Sequence, residues 1–352
     1  MCLITCLKKL NHFSGIGLLN ERIFKLKQTQ VGDSGVNISP IGLGCVTFGR
    51  EIDEETSRKV LDYAIEKGIT FLDTAEGYGG GQSRVGRKQS MGIDDEREVS
   101  GEMSSSERII GDWMRDRGCR DELTICTKVS SGASPENITK QINASLERLQ
   151  INQLDIYKVH SPDSSVPISE TMDALDKQVR MGKTRVVGGS NYSPEQIEES
   201  LNASRSGGYV RFQIMQPPYS IAAPDAAKDI FPLCHQEKIA ITPYSPLAAG
   251  FLAGKYTSDR SDIPKGTRYD ISPSHADIYF NERNFRVVDL LKRKSTELDI
   301  PMVQLAMSWA MTNTHVTAVI AGARTTKHID NALVAYENGM DTALRAEISD
   351  WS

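Results

Sequence analysis

The chain has 352 residues, of which 39% are hydrophobic and 25% charged, and its net charge is -5. That length suffices for one (β/α)8 barrel, which needs roughly 250 residues. The acidic balance offers no basic surface for nucleic acid, and no apolar run is long enough to cross a membrane.

Residues 1–30 carry Lys8, Lys9, Arg22, Lys25 and Lys27 against the single acid Glu21. They lack the Arg- and Ser-rich character of a transit peptide and the apolar core of a secretory signal. The expectation is a disordered extension ahead of one domain over 31–352, with organelle targeting as the alternative. Beyond it, strand and helix patterns alternate. An apolar run over 36–46 ends in glycines. A helix over 53–68 puts Val60, Leu61, Ala64 and Ile65 on one face and stops at Gly68. The strand 69–75, the helix 105–118 and the strand 123–129 follow. A helix then begins with Ser134 as N-cap and Pro135 at its first position. Strands are expected over 154–161, 185–193, 211–220, 239–247 and 316–323. Helices are expected over 168–183, 193–204 (N-cap Ser193), 223–238 with an interruption at Pro232, 326–339 and 341–352. Two more helical stretches follow a long loop after Tyr244.

This is eight strand-helix units in one run, which argues for a parallel sheet covered by helices. Asp73, Lys128, His160, Ser190, Asn191 and Gln216 fall at or just past the ends of five successive strands. Only a closed ring aims those ends at one pocket, so the predicted fold is a single-domain (β/α)8 TIM barrel. Its active face is the C-terminal end of the strands. Long segments over 79–105 and 248–282 break the pattern and read as loops, lids or substrate walls on that face.

The six cysteines, Cys2, Cys6, Cys45, Cys119, Cys126 and Cys234, are irregularly spaced. Cys45 and Cys126 read as buried thiols in strands. There is no CxxC pair for zinc, so no metal site and no disulfide framework is expected, and a cytoplasmic compartment fits.

Asp73, Tyr78, Lys128 and His160 carry the chemistry. A free tyrosine titrates at about 10. A lysine ammonium beside it favours the phenolate and is expected to lower that value, with Asp73 holding the lysine charged. Such a phenol suits proton donation to a carbonyl while a hydride arrives.

The segments GLGCVTFG, FLDTAEGYG, TKV, VHSPD, GGSNYS, QPPYS, PYSPLAAGFLAGKY and AGARTT, in this order, resemble the aldo-keto reductase family. The likeness covers roughly residues 30–352 and points to the potassium-channel-β and general-stress-protein branch. The stretch VGDSGVNISPIGLGC resembles the hairpin that closes the bottom of that barrel. The resemblance implies a catalytic tetrad of Asp73, Tyr78, Lys128 and His160, with Tyr78 as general acid and His160 orienting the substrate carbonyl. It implies that Ser190, Asn191 and Gln216 hold a nicotinamide carboxamide and that Tyr244 stacks on the ring. Ser245, Leu247, Gly250 and Lys255 match a pyrophosphate loop. Gly322, Arg324 and Thr325 match the 2′-phosphate end, which favours NADPH over NADH, and His328 is counted with them among the cofactor-binding residues.

Two departures stand out. His328, Asn331 and Ala332 occupy positions where the family has a Gln or Arg and then a Glu-Asn pair. The insertion after Tyr78 carries Arg84, Arg87, Lys88, Asp94, Asp95, Glu96, Arg97 and Glu98, either as a solvated flexible loop or as a polar wall for a hydroxylated substrate. With no long C-terminal loop expected, the substrate walls should come from the two long segments. The implied activity is NADPH-dependent reduction of an aldehyde or ketone, on a small carbonyl or sugar-like substrate. The alternatives are a sugar or polyol dehydrogenase, and a cofactor-binding regulatory subunit like potassium-channel β. A third, a Schiff-base aldolase using Lys128, is disfavoured because Asp73 would keep the lysine protonated. Oligomeric state is left open.

Overall fold

The computed structural model describes residues 26–352, so the extension expected over 1–30 lies almost entirely outside the described residues. A hairpin of β1 (Thr29–Gln30) and β2 (Asn37–Ile38) comes first. The first half of the ring is β3 (Ile41–Gly44), α1 (Glu54–Glu66), β4 (Phe71–Asp73), α2 (Gly80–Met91), α3 (Ser105–Arg117), β5 (Thr124–Val129), α4 (Pro135–Leu149), β6 (Leu154–Val159) and α5 (Ile168–Arg180). The second half is β7 (Thr184–Ser190), α6 (Pro194–Gly207), β8 (Ile214–Gln216), α7 (Ile230–Gln236), β9 (Ala240–Ile241), α8 (Arg268–Ile271), α9 (His275–Tyr279), α10 (Glu282–Leu298), α11 (Met302–Met311), β10 (Val319–Gly322), α12 (Thr326–Asn338) and α13 (Thr342–Ser349).

The eight strands β3 to β10 run parallel, in the order β10-β3-β4-β5-β6-β7-β8-β9. The ring closes where Thr317 N donates to Ile241 O at 2.8 Å and Ile320 N donates to Pro243 O at 2.9 Å. This is the predicted barrel. β8 and β9 are shorter than the sequence suggests. Pro217, Pro218 and Pro243 lie just past their ends, and proline has no N–H for a ladder.

Local signals set the helix starts. Asp53 Oδ1 accepts from Thr56 N at 2.8 Å, and Ser134 Oγ accepts from Asn137 N at 3.3 Å. Ser193 and Gln196 form a reciprocal capping box. The helix expected over 223–238 instead divides before Ile230. Pro232 then sits in the first turn of α7, where a missing N–H costs nothing.

Two apolar cores hold the barrel. One lies between the strands and the outer helices. The other plugs the bottom of the ring, where Val31, Val36 and Ile38 of the hairpin meet Phe71, Cys126, Ile156, Val186 and Ile214 from successive strands. Each such side chain stabilises by about 1.5–3 kcal/mol when fully buried. Cys45, Cys119, Cys126 and Cys234 are buried thiols, none of them in a disulfide.

The insertion after Tyr78 is not the loop the sequence suggests. Its first half is the helix α2. A Cβ on Gly80 would fall 1.3 Å from Ser100 O, so glycine here lets the second half of the insertion fold back over the first. Its charges answer one another: Arg84 pairs with Asp94 and Glu96, and Lys88 with Asp94. Arg87 is buried and pairs with Glu98 at 2.7 Å. The insertion is also tied to the second long segment. Arg87 donates to Ile271 O, Arg97 donates to Asp270 O at 2.7 Å, and Ser83 Oγ meets Ser272 Oγ at 3.0 Å. Arg87→Met would leave the Glu98 carboxylate, 3% exposed, without its cation. The expected loss is about 3 kcal/mol of stability, read as a lowered midpoint in thermal or urea unfolding; an unchanged midpoint would refute the pairing argument.

Candidate active site

Strand ends position the polar groups, as in other barrels. Asp73 is the last residue of β4, Lys128 the penultimate residue of β5, and His160 directly follows β6. Tyr78 reaches the same point from the turn after β4, where its N–H donates to Ala75 O at 3.0 Å. Lys128 Nζ lies 2.7 Å from Asp73 Oδ2, 2.7 Å from Thr74 O and 3.4 Å from Tyr78 OH. The Tyr78 and His160 rings meet edge to face at 5.5 Å. Ser130 Oγ lies 2.7 Å from His160 Nδ1.

The electrostatics follow from burial and proximity. Burial alone would raise the Asp73 carboxyl, but Lys128 and Lys158 outweigh it and hold it below the ordinary carboxylate value. Burial alone would lower Lys128, but Asp73 outweighs that and holds it above the ordinary lysine value. A lysine so held is protonated at neutrality and is no Schiff-base nucleophile. For Tyr78 the sequence-based expectation needs correction. Burial raises the phenol, Lys128 opposes it, and the net shift is upward, so the hydroxyl keeps its proton at neutral pH. Burial, then Lys128, lowers His160 to about 3. Its ring is therefore neutral at physiological pH.

Ser190, Asn191, Gln216 and Tyr244 are knitted together. Ser190 Oγ donates to Gln216 O at 2.7 Å. Asn191 Nδ2 donates to His160 O at 2.9 Å, and its Oδ1 accepts from Tyr244 OH at 2.8 Å. Asn191 has φ 62°, a left-handed conformation that asparagine tolerates. The segment after Tyr244 is unusual. Ser245, Ala248, Ala249 and Gly250 all have positive φ.

Asp73, Tyr78, Lys128, His160, Ser190, Asn191, Gln216 and Tyr244 line one cavity of about 1040 Å³. So do Ser245, Leu247, Gly250, Lys255, Gly322, Arg324 and His328. Thr325 does not. It is the N-cap residue of α12, and its Oγ1 lies 2.8 Å from His328 Nδ1. Of the positions where the chain departs from the family pattern, Asn331 lines the cavity and Ala332 is packed in the core.

Sequence reading missed several lining groups. Arg50 and Glu51 form a buried pair at 2.8 Å, and Arg268 joins Glu51 at 3.1 Å from the far side of the chain. Lys327 lines the end near Arg324. Gln82, Ser83, Gln89 and Ser90 of α2 form a wall beside Tyr78. Lys158 is buried beneath the site with its Nζ 3.6 Å from Asp73 Oδ1. Its place two residues before His160, on the inward face of a strand, was the available signal.

A family model described as the aldo/keto reductase family matches residues 40–350. A probable voltage-gated potassium channel subunit beta of Arabidopsis thaliana is 29% identical over 330 residues, covering 89% of this chain and 92% of its own. The aldo-keto reductase YhdN of Bacillus subtilis is 28% identical over 312 residues, with 85% of each chain covered. Versiconal hemiacetal acetate reductase of Aspergillus parasiticus is 26% identical over 336 residues, covering 89% of this chain and 93% of its own. The matched region takes in the whole ring of strands, and the protein belongs to the aldo/keto reductase family, whose members are oxidoreductases of carbonyl groups that generally use nicotinamide cofactors.

Proposed function

We propose that the protein reduces an aldehyde or ketone to an alcohol with NADPH, Tyr78 acting as the general acid. The observation that carries this reading is the arrangement at Tyr78: a protonated phenol 3.4 Å from a buried ammonium that Asp73 holds in place. When bound, the cofactor supplies a hydride from the nicotinamide ring to the carbonyl carbon. Tyr78 gives its proton to the carbonyl oxygen, and Lys128 stabilises the phenolate that remains. Neutral His160, its Nδ1 engaged by Ser130, leaves Nε2 to orient the same oxygen.

The cavity residues fit such a cofactor. Ser190, Asn191 and Gln216 offer donors and acceptors for a carboxamide, and Tyr244 a flat ring to stack on. At the other end Lys255, Arg324 and Lys327 line the cavity, and all three act on His328 as like charges. Burial and Arg324 hold Lys255 below its ordinary value. Such a cluster of cations fits a phosphate. Arg324→Ala is expected to raise the KM for NADPH about tenfold or more while leaving that for NADH nearly unchanged. Equal effects on both would detach Arg324 from the 2′-phosphate.

The wall of Gln82, Ser83, Gln89 and Ser90 favours a hydroxylated carbonyl compound such as a sugar. The same residues serve either direction, so a polyol oxidation is the reverse of this reaction. The test is oxidation of NADPH and NADH with aromatic aldehydes, aliphatic aldehydes, dicarbonyls and sugars. Turnover with NADPH supports the proposal. Binding of NADPH without turnover would replace it with a regulatory role, the reading that the channel-subunit relative suggests.

A further inference from the structure

Lys158 has no part in the steps above, yet it lies at their centre. It is the register partner of Lys128 on the adjoining strand and is fully buried. Its Nζ lies 3.2 Å from Gln216 Oε1, 3.4 Å from Thr242 Oγ1 and 3.6 Å from Asp73 Oδ1. Asp73 Oδ2 takes Lys128 at 2.7 Å, whereas Asp73 Oδ1 has no hydrogen bond of its own. One carboxylate thus lies between two ammonium groups, leaving one positive charge in excess in a closed interior. An uncompensated buried charge is costly, and a neutral side chain of similar size would avoid that cost.

The groups that face Tyr78 show what the excess does. They are Lys128, Asp73, His160, Arg50 and, across the cavity, Tyr244. Arg50 is met by Glu51 in a two-point contact. His160 and Tyr244 are neutral. The field at the phenol is that of Lys128 and Arg50 against Asp73, and Lys158 enters through its hold on Asp73.

We infer that Lys158 is a positioning residue for proton transfer, acting through Asp73 and Gln216. It shares the aspartate, so Asp73 cancels only part of the field of Lys128 and the Tyr78 phenolate left after donation is stabilised. It also holds the Gln216 amide through Oε1 at 3.2 Å. The step balances: a hydride from the cofactor and the Tyr78 proton convert the carbonyl to the alcohol, and solvent returns a proton to the phenolate. The inference rests on the role proposed for Tyr78.

The test compares the full-length wild type with Lys158→Met, Lys158→Gln and Lys158→Arg. Alcohol oxidation is followed against pH, because there Tyr78 acts as base and the rising limb reports its ionisation. The phenolate absorbance of each protein minus that of its Tyr78→Phe counterpart is followed in parallel, without turnover. Loss of a positive charge disfavours the phenolate, so the Met and Gln variants should move both readouts to higher pH by about one unit. Arg should restore them toward wild type. Thermal unfolding of Lys158→Met should stay at or above the wild-type midpoint, as for other buried charges replaced by apolar groups. Limbs that coincide with wild type, with or without a lowered midpoint, would overturn the inference and make Lys158 structural. If Tyr78→Phe kept its turnover, the Tyr78 role would fall, while the absorbance titration would still decide whether Lys158 acts on that phenol.

Discussion

Tyr78→Phe is expected to abolish carbonyl reduction, by about 10²–10⁴-fold in kcat, while fold and nucleotide binding persist. The substitution removes one hydroxyl and keeps the ring. Lys128 loses a contact at 3.4 Å but retains Asp73 and Thr74 O, each at 2.7 Å. Stability should therefore change by no more than about 1 kcal/mol. Single-turnover oxidation of bound NADPH, with nucleotide affinity measured alongside, separates chemistry from binding. Near-wild-type turnover would mean that the proton comes from elsewhere, with His160 or water as the remaining donor.

The pH profile should carry the same signature. Tyr78 lies above the ordinary tyrosine value, so its proton is in place through neutrality. Reduction should be flat there and fall as pH rises through the Tyr78 value; oxidation should rise along the same limb. No limb should appear near 6.5, because His160 is held at about 3. That shift also bears on stability. The folded state prefers neutral imidazole, so the stabilisation is full above the unfolded histidine value of about 6.5 and is lost as pH falls toward 3. The lowered Asp73 acts in the same sense, its contribution present above the unfolded carboxylate value and lost as pH falls through its own. A limb at the ordinary histidine position would show that His160 is solvated and charged.

Lys128→Met should be more damaging than its single contact with the tyrosine suggests. It removes the cation that opposes the burial of Tyr78 and leaves Asp73 with Lys158 at 3.6 Å as its remaining partner. A loss of turnover of about 10²–10⁴-fold is expected, with a stability loss of about 1–3 kcal/mol for the hydrogen bonds removed, since Lys158 still compensates Asp73. Asp73→Asn should not add its full single-substitution loss to that of Lys128→Met, because the two residues share one ion-pair network. A double-mutant cycle on the unfolding midpoint checks this; additive losses would show that Lys128 and Asp73 act separately. Borohydride with a carbonyl substrate should trap no adduct on Lys128.

The strand ends were legible because short apolar runs and the polar residues that follow them are local signals. Ser134 and Ser193 as helix caps were legible for the same reason. The insertion was not. Its helix shows weak apolar periodicity and is held by Arg87, whose partners include Ile271 from the far end of the chain. Thr325 was read as a cofactor residue from the family resemblance, and its place as the N-cap of α12 sets its Oγ1 2.8 Å from His328 Nδ1.

The sequence by itself determined the alternation of strands and helices and the places of Asp73, Lys128 and His160 at strand ends, because each depends on pattern within a short window, and the repeat of that pattern along the chain pointed to the barrel. The tertiary structure alone decided the charge state of the site. Burial, which no local window reports, raises Tyr78 against the pull of Lys128 and lowers His160. It also brings Lys158 beneath Asp73 and joins Arg50, Glu51 and Arg268 in one cluster. Electrostatic terms depend on distance in space and on exclusion of water, and both are properties of the closed ring.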